Sequence, residues 1–191
     1  LPSGWGYWPA CAGLAAFAWF ELIHPAPDDP AVLATAAGLY WLMRRTLAAS
    51  GDPAEATVWK RRVAEGLTYE EVDESIRSLA ADMNLRDVGQ LPLGEQVASM
   101  RGADWRSLKV YLFCNPLTAA RMIEHSPAFA AYLPCRISLV EDEAGQLWLI
   151  TMNMDLMLYG GRPLPDEVRQ EAETVRSAVL AVMDGASEGS F

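Results

Sequence analysis

Histidine and cysteine are the scarce residues of this chain, two and three among 191. His24 and His125 cannot by themselves build a histidine-rich metal centre. Cys11, Cys114 and Cys135 form no CxxC pair and no Cys/His zinc spacing, and three thiols are too few for a disulfide framework. Glycine-rich phosphate loops are missing as well. Without GxGxxG or a Walker sequence, a dinucleotide or P-loop nucleotide site has no support. No Ser/His/Asp order, nucleophile elbow or paired-carboxylate signature stands out. Bases are outnumbered, 15 against 25 acids, for a net charge of −10. That balance argues against a nucleic-acid partner, which needs clustered Lys and Arg to neutralise phosphate. With no initiator Met and no basic leader, no signal peptide is visible, and the sequence reads as a processed product or a fragment.

The residues that are present describe a globular chain, 51% hydrophobic and 21% charged, long enough for one domain with an appendage. Its charge is uneven. Residues 1–62 hold five acids and five bases, so the whole net charge falls on 63–191. We divide the chain into an apolar segment (1–45), a linker (46–65) around Ser50-Gly51-Asp52-Pro53, an α+β domain (66–185) and a flexible Gly/Ser tail (186–191).

The apolar segment contains two runs. Tyr7–Ile23 carries one charge, Glu21, and as a helix would be about 26 Å long, at the short limit for a bilayer core of about 30 Å. Trp5, Tyr7 and Trp8 cluster at one end of it, Trp19 and Phe20 at the other, as interfacial aromatics do. Ala31–Met43 would reach about 20 Å. Between them, Pro25, Pro27 and Pro30 with Asp28 and Asp29 force a polar turn, so an apolar helical hairpin is expected. A buried helical pair or a dimerisation arm fits the same pattern. The opening Leu1-Pro2-Ser3-Gly4-Trp5-Gly6-Tyr7-Trp8-Pro9-Ala10 is similar to a segment of multi-span bacterial membrane proteins of the fenitrothion-hydrolase-like type, which favours membrane association. Arg44 and Arg45 then place the acidic domain on the cytoplasmic side; a soluble cytoplasmic protein is the alternative.

In the acidic part, Thr68 and Glu71 spell a capping box, followed by Val72, Ile76, Leu79 and Met83 on one helical face. Asp87–Leu93 reads as a strand ending at Pro92-Leu93-Gly94, and Leu108–Phe113 as a β-prone, aromatic strand. Asn115-Pro116 is an N-cap with a first-turn proline that opens a helix through Ile123; Ser126-Pro127 repeats the device. Cys135–Val140 and Gln146–Met152 form a hairpin with the acidic tip Glu141-Asp142-Glu143. Pro165 starts a last helix with Val168, Ala172, Val175, Val179 and Val182 as its buried stripe, fraying after Asp184. This order is α+β, an antiparallel-dominated sheet covered by the two helices that start near Thr68 and Pro165.

The run Leu108-Lys109-Val110-Tyr111-Leu112-Phe113-Cys114-Asn115-Pro116, then Leu133-Pro134-Cys135-Arg136-Ile137, then the acidic hairpin and Trp148-Leu149, resembles the domain of unknown function 302 family over residues 66–185. The resemblance implies a small TBP-like α+β sandwich, commonly a homodimer, and implies no activity, catalytic residue or cofactor.

Cys114, Asn115, Pro116, Pro134, Cys135 and Arg136 stand at strand–helix junctions, which we expect to converge on one cleft. Asn115 caps the intervening helix; Arg136 is the nearby cation, able to bind a small anionic group or to pair with Glu141. The two cysteines are read either as packed residues or as a thiol pair for redox or soft-metal chemistry, and no metal ligands are assigned. His125 is read as a helix-end histidine, Glu141-Asp142-Glu143 as a solvated tip rather than a calcium loop, and Met152, Met154 and Met157 as core packing rather than thioether ligands. Three functions stay open. They are a non-catalytic accessory or small-ligand-binding domain tethered to a membrane or membrane protein, a thiol-dependent redox or metal-handling protein, and a soluble enzyme of unknown reaction.

Overall fold

The computed structural model describes residues 51–159 and 163–191, together with 37, 38, 40–45 and 48, which are helical. The expected helix over 7–23 and the polar turn lie outside the described residues, as does the first half of the second run. Among the described residues no helix is long and apolar enough to cross a membrane. The chain divides into two units, Leu1–Arg44 and Arg45–Phe191. The sheet and the helices around it belong to the second.

The order is α1 (Pro53–Ala56), β1 (Val58–Arg62), α2 (Tyr69–Asp82), β2 (Arg86–Leu91), α3 (Leu93–Arg101), β3 (Leu108–Cys114) and α4 (Pro116–His125). A 3-10 helix (Pro127–Tyr132), β4 (Cys135–Glu141), β5 (Leu147–Met152), α5 (Asp155–Tyr159) and α6 (Asp166–Ser187) follow. The five strands form one sheet, β1-β5-β4-β3-β2, in which every neighbouring pair is antiparallel. The fold is therefore α+β with an antiparallel sheet, as the element order implied.

Strand alternation sends Tyr111, Phe113, Ile137, Leu139 and Leu149 to one face, where they are buried against Val72, Ile76 and Ala80 of α2 and Val179, Val182 and Met183 of α6. The capping box that starts α2 is complete. The Glu71 amide donates to Thr68 Oγ1 at 3.2 Å, and the Thr68 amide donates to the Glu71 carboxylate at 2.8 Å. At the start of β3 an ionic group joins α2 to the sheet. Lys109 Nζ and the Tyr111 hydroxyl both donate to Asp73 Oδ1, the former at 2.6 Å, and Arg77 pairs with Oδ2 at 2.9 Å.

Three features depart from the sequence reading. The stretch taken as linker holds β1, an edge strand whose Lys60, Arg61 and Arg62 disguise it; charge on an edge blunts unwanted pairing. Trp59 of that strand lies under the Arg176 guanidinium of α6, 5.1 Å from ring to charge. The Pro92-Leu93-Gly94 turn opens α3, which no side chain caps. Gly94 lies so close to the start of β3 that a Cβ there would come within 2.7 Å of the Arg106 carbonyl. Finally, α6 continues past Asp184 to Ser187, with Ala186 and Ser187 buried and the Ser187 carbonyl accepting from the Ala64 amide at 2.8 Å.

The acidic hairpin tip is a hydrogen-bonded turn. Asp142 accepts from the Ala144 amide at 2.9 Å, the Gln146 amide at 3.0 Å and the Trp148 indole at 2.9 Å. These bonds hold its carboxyl below the usual carboxylate range, the indole contributing most. Glu141 accepts from the Ser107 amide, and Glu143 faces Arg106 at 3.6 Å.

Candidate functional site

β3 and β4 are neighbours, with Phe113 directly across from Cys135 and Leu112 across from Arg136. The chain that leaves the sheet at Cys114 must therefore return beside it at Cys135. Asn115 turns it out of the sheet: its Oδ1 accepts from the Thr118 amide at 3.3 Å, and Pro116 occupies the first turn of α4. α4 and the 3-10 helix form the excursion, and the chain re-enters through Pro134, whose peptide bond with Leu133 is cis.

Under this excursion, at the end of the sheet, lies a largely apolar pocket of about 50 Å³. Cys114, Asn115, Pro134, Cys135 and Arg136 all line it, so the convergence of the two junctions is realised. Pro116 heads α4 just outside the lining. Thr118, Ala119 and Met122 of α4 form one wall, and Ala172 and Val175 of α6 form another. Thr151 closes the floor, its hydroxyl donating to the Arg136 carbonyl at 2.5 Å. Met152 at the end of β5, Met154 in the β5–α5 loop and Met157 of α5 border the same space. The loop is pinned by the Asn153 amide on the Thr57 carbonyl at 2.8 Å, by Asn153 Oδ1 accepting from the Asp155 amide at 2.8 Å, and by Arg176 on Asp155 at 2.7 Å.

Both cysteines are free thiols. Burial pushes the Cys135 thiol up to about 11; neighbouring Cys114 adds to this, and the Arg136 charge offsets it in part. Burial raises Cys114 as well. Both stay protonated at neutral pH, which makes them poor nucleophiles as they stand. Arg136 is exposed, and its guanidinium has no hydrogen-bond or ion-pair partner among the described residues. Of the two alternatives for Arg136, a pairing with Glu141 or another acid is not found among the described residues. Alternation along β4 turns Cys135 towards the helix-covered face and Arg136 towards the other, so the guanidinium stands at the margin of the pocket rather than inside it.

His125 ends α4 against Phe129, the rings 6.2 Å apart, away from the pocket lining. His24 and Cys11 lie outside the described residues. Among the described residues, no group of three or more His, Cys, Asp and Glu side chains could hold a metal ion. Met122, Thr118 and Thr151 were not singled out by sequence reasoning. Only the spacing of Thr118 and Met122 on one face of α4 hinted at a shared wall.

The second unit, Arg45–Phe191, is thus a two-layer α+β domain with a strand-end pocket built where β3 and β4 meet their connecting helix. Residues 59–185 match the family described as "Domain of unknown function DUF302", and the chain belongs to that family. Its fold is similar to the crystal structure of an uncharacterized conserved DUF302 protein from Bacillus stearothermophilus. The TM-score is 0.54 at 18% identity, covering 67% of this chain and 96% of that one. A search of curated proteins finds no match.

Proposed function

We propose that this domain is a non-catalytic binding domain whose small ligand occupies the pocket between Cys114 and Cys135. One observation carries the reading. The two motifs that resemble the family's, Cys-Asn-Pro and Leu-Pro-Cys, are separated by a twenty-residue excursion yet line a single pocket. Among the described residues, no carboxylate or imidazole lines the pocket for acid–base work, and burial favours the protonated form of its thiols. Arg136 at its margin, without an ion-pair partner among the described residues, favours an occupant with negative charge. The apolar residues 1–45 support tethering to a membrane or membrane protein, with Arg44 and Arg45 setting the acidic domain on the cytoplasmic side. A homodimer is supported by the sheet face away from α2 and α6, where Leu91, across from Val110, is exposed.

The test compares native and denatured masses of the purified full chain. A discrete bound species is expected on the wild type and absent from Ala119→Phe, which fills the pocket from α4. Equal native and denatured masses for the wild type, or a species that survives the filled pocket, would overturn the assignment.

A further inference from the structure

The sheet has two faces of opposite character. Residues paired directly across neighbouring strands point to the same side, so the register assigns the strand side chains to a face. Trp59 and Arg61 reach α6 and Lys109 reaches α2, which identifies the helix-covered side. The other side has an apolar centre of Val110, Leu112, Val140, Trp148, Ile150 and Met152, none of them buried. Its charged positions are all bases: Lys60 and Arg62 of β1, Arg86 of β2 and Arg136 of β4. The carboxylates of the strands, Asp87 and Glu141, pair across from Phe113 and Leu147 and so belong to the helix side. That side also carries the exposed acids Glu70, Glu71 and Glu74 of α2 and Asp166 and Glu167 of α6. A chain of net charge −10 thus keeps an apolar, basic face.

We propose that this open face lays the domain on a membrane, its apolar centre in the interfacial layer and its arginines on the phosphates of anionic lipids. The proposal goes beyond the pocket and rests on the tethering reading, which supplies the membrane. Surface binding of this kind grows with buried apolar area and with attraction to anionic headgroups, and the face offers both. Only the stretch from Arg45 to Val58 separates β1 from the apolar segment, a reach of at most about 45 Å. A tether that short gives the leaflet a high effective concentration, so individually weak contacts suffice.

Charge selects this occupant. Arg86 and Arg136 are exposed and have no ion-pair partner among the described residues. Lys60 and Arg62 pair with Glu55 and Glu65 at 2.8 and 3.1 Å, but these are surface pairs that lipid phosphate can exchange. Asp142, at the border of the face, is already held by the Trp148 indole and two backbone amides. Lys60 also lies 5.2 Å from the centre of the Trp148 ring, and tryptophan is favoured at the headgroup level. A second copy covers the apolar centre too, but it brings its own four bases and no strand carboxylate to that face. The two occupants compete, and a leaflet that supplies phosphate takes the face. Its hold on the arginines weakens in salt.

The experiment uses two methionines of matched exposure. Met152 is 40% exposed on this face, and Met83, at the end of α2 beside α6, is 43% exposed on the helix side and serves as the internal control. The full chain is mixed with vesicles of phosphatidylcholine alone, or of equal parts phosphatidylcholine and phosphatidylglycerol. One portion is floated; the other is oxidised with hydroxyl radicals and read by peptide mass spectrometry. Met152 oxidation is expected to fall by about threefold or more in the anionic vesicles relative to the zwitterionic ones, with Met83 unchanged. High salt and the variant Arg86→Glu/Arg136→Glu should each restore it. Equal Met152 oxidation in the two kinds of vesicle, or protection that survives the double variant, overturns the proposal; protection that instead rises with protein concentration in both assigns the face to a second copy. Flotation separates this from the tether. A chain that floats with phosphatidylcholine but shows no lipid-dependent protection keeps the tether and loses the face. One that floats only with the anionic vesicles, with Met152 protected, keeps the face and loses the tether, and one that floats with neither loses both.

Discussion

The Asp73 group yields the sharpest stability prediction. Asp73 and Lys109 are 15% and 17% exposed at their side chains, and Tyr111, which shares Asp73 Oδ1 with Lys109, is fully buried. Asp73→Ala leaves a largely desolvated ammonium without a counter-ion and a buried hydroxyl without an acceptor. Breaking a buried pair costs about 3–5 kcal/mol, and an orphaned buried hydroxyl about 1–3 kcal/mol. The two losses overlap in space and do not add. Arg77 remains half-exposed beside them, which lets water relieve part of the penalty. We expect about 3 kcal/mol, read as a fall in urea midpoint by far-UV circular dichroism at constant slope. The triple variant Asp73→Ala/Lys109→Met/Tyr111→Phe removes every group left unpaired and should recover most of that loss. An Asp73→Ala cost below 1 kcal/mol, or a triple variant no better than the single, would refute the argument. There is also a pH signature. Burial alone would raise the Asp73 carboxyl, but the bonds from Lys109 and Tyr111 and the charges of Lys109 and Arg77 outweigh it and leave the group below its usual value. Its stabilisation is therefore fully present above the unfolded pKa of about 3.9 and is lost as pH falls through the lower folded value. Asp73→Asn should flatten that acid limb.

Thr68→Ala removes the hydroxyl that accepts from the Glu71 amide, leaves the Thr68 amide on the Glu71 carboxylate, and should cost about 1 kcal/mol in the same denaturation assay, while Thr68→Ser costs little. Gly94→Ala drives a methyl group into the Arg106 and Leu108 backbone and should lower stability by about 1–3 kcal/mol; a neutral result would mean that α3 is not seated as closely as described. The Cys135 thiol, raised to about 11, should alkylate slowly at pH 7 and faster as pH climbs, as followed by peptide mass spectrometry. Because that folded value exceeds the unfolded one of about 8.5, the wild type loses stability across this window relative to Cys135→Ala, and a parallel alkaline limb would contradict the burial.

Much of the domain was legible because its signals are local. A capping box, an i, i+4, i+7 apolar stripe, an Asn-Pro helix start and an alternating hairpin each act over a few neighbouring residues. Thr68–Glu71, the α6 stripe, Asn115 and the β4–β5 pair accordingly occur where the sequence places them. β1 was hidden because three consecutive bases read as a solvated linker until β5 supplies a pairing edge. α3 was hidden because Pro92 offers no side-chain cap, and the seating of Gly94 depends on a backbone more than ten residues away. α6 passes its Gly-containing end because packing of Ala186 outweighs local helix propensity.

The candidate site divides along the same line. The sequence determines that Cys114 and Cys135 bracket a capped helical excursion and that Arg136 follows. Antiparallel pairing of β3 with β4 decides that those two junctions meet. Only the tertiary packing of α4, α6 and the segment from the end of β5 into α5 brings Met122, Met152, Met154 and Met157 to the pocket at these junctions and leaves Arg136 without an acidic partner among the described residues. Such convergence is non-local: each methionine is an ordinary apolar residue in its own element, and its sulfur acquires a setting only where three separate elements close over one end of the sheet.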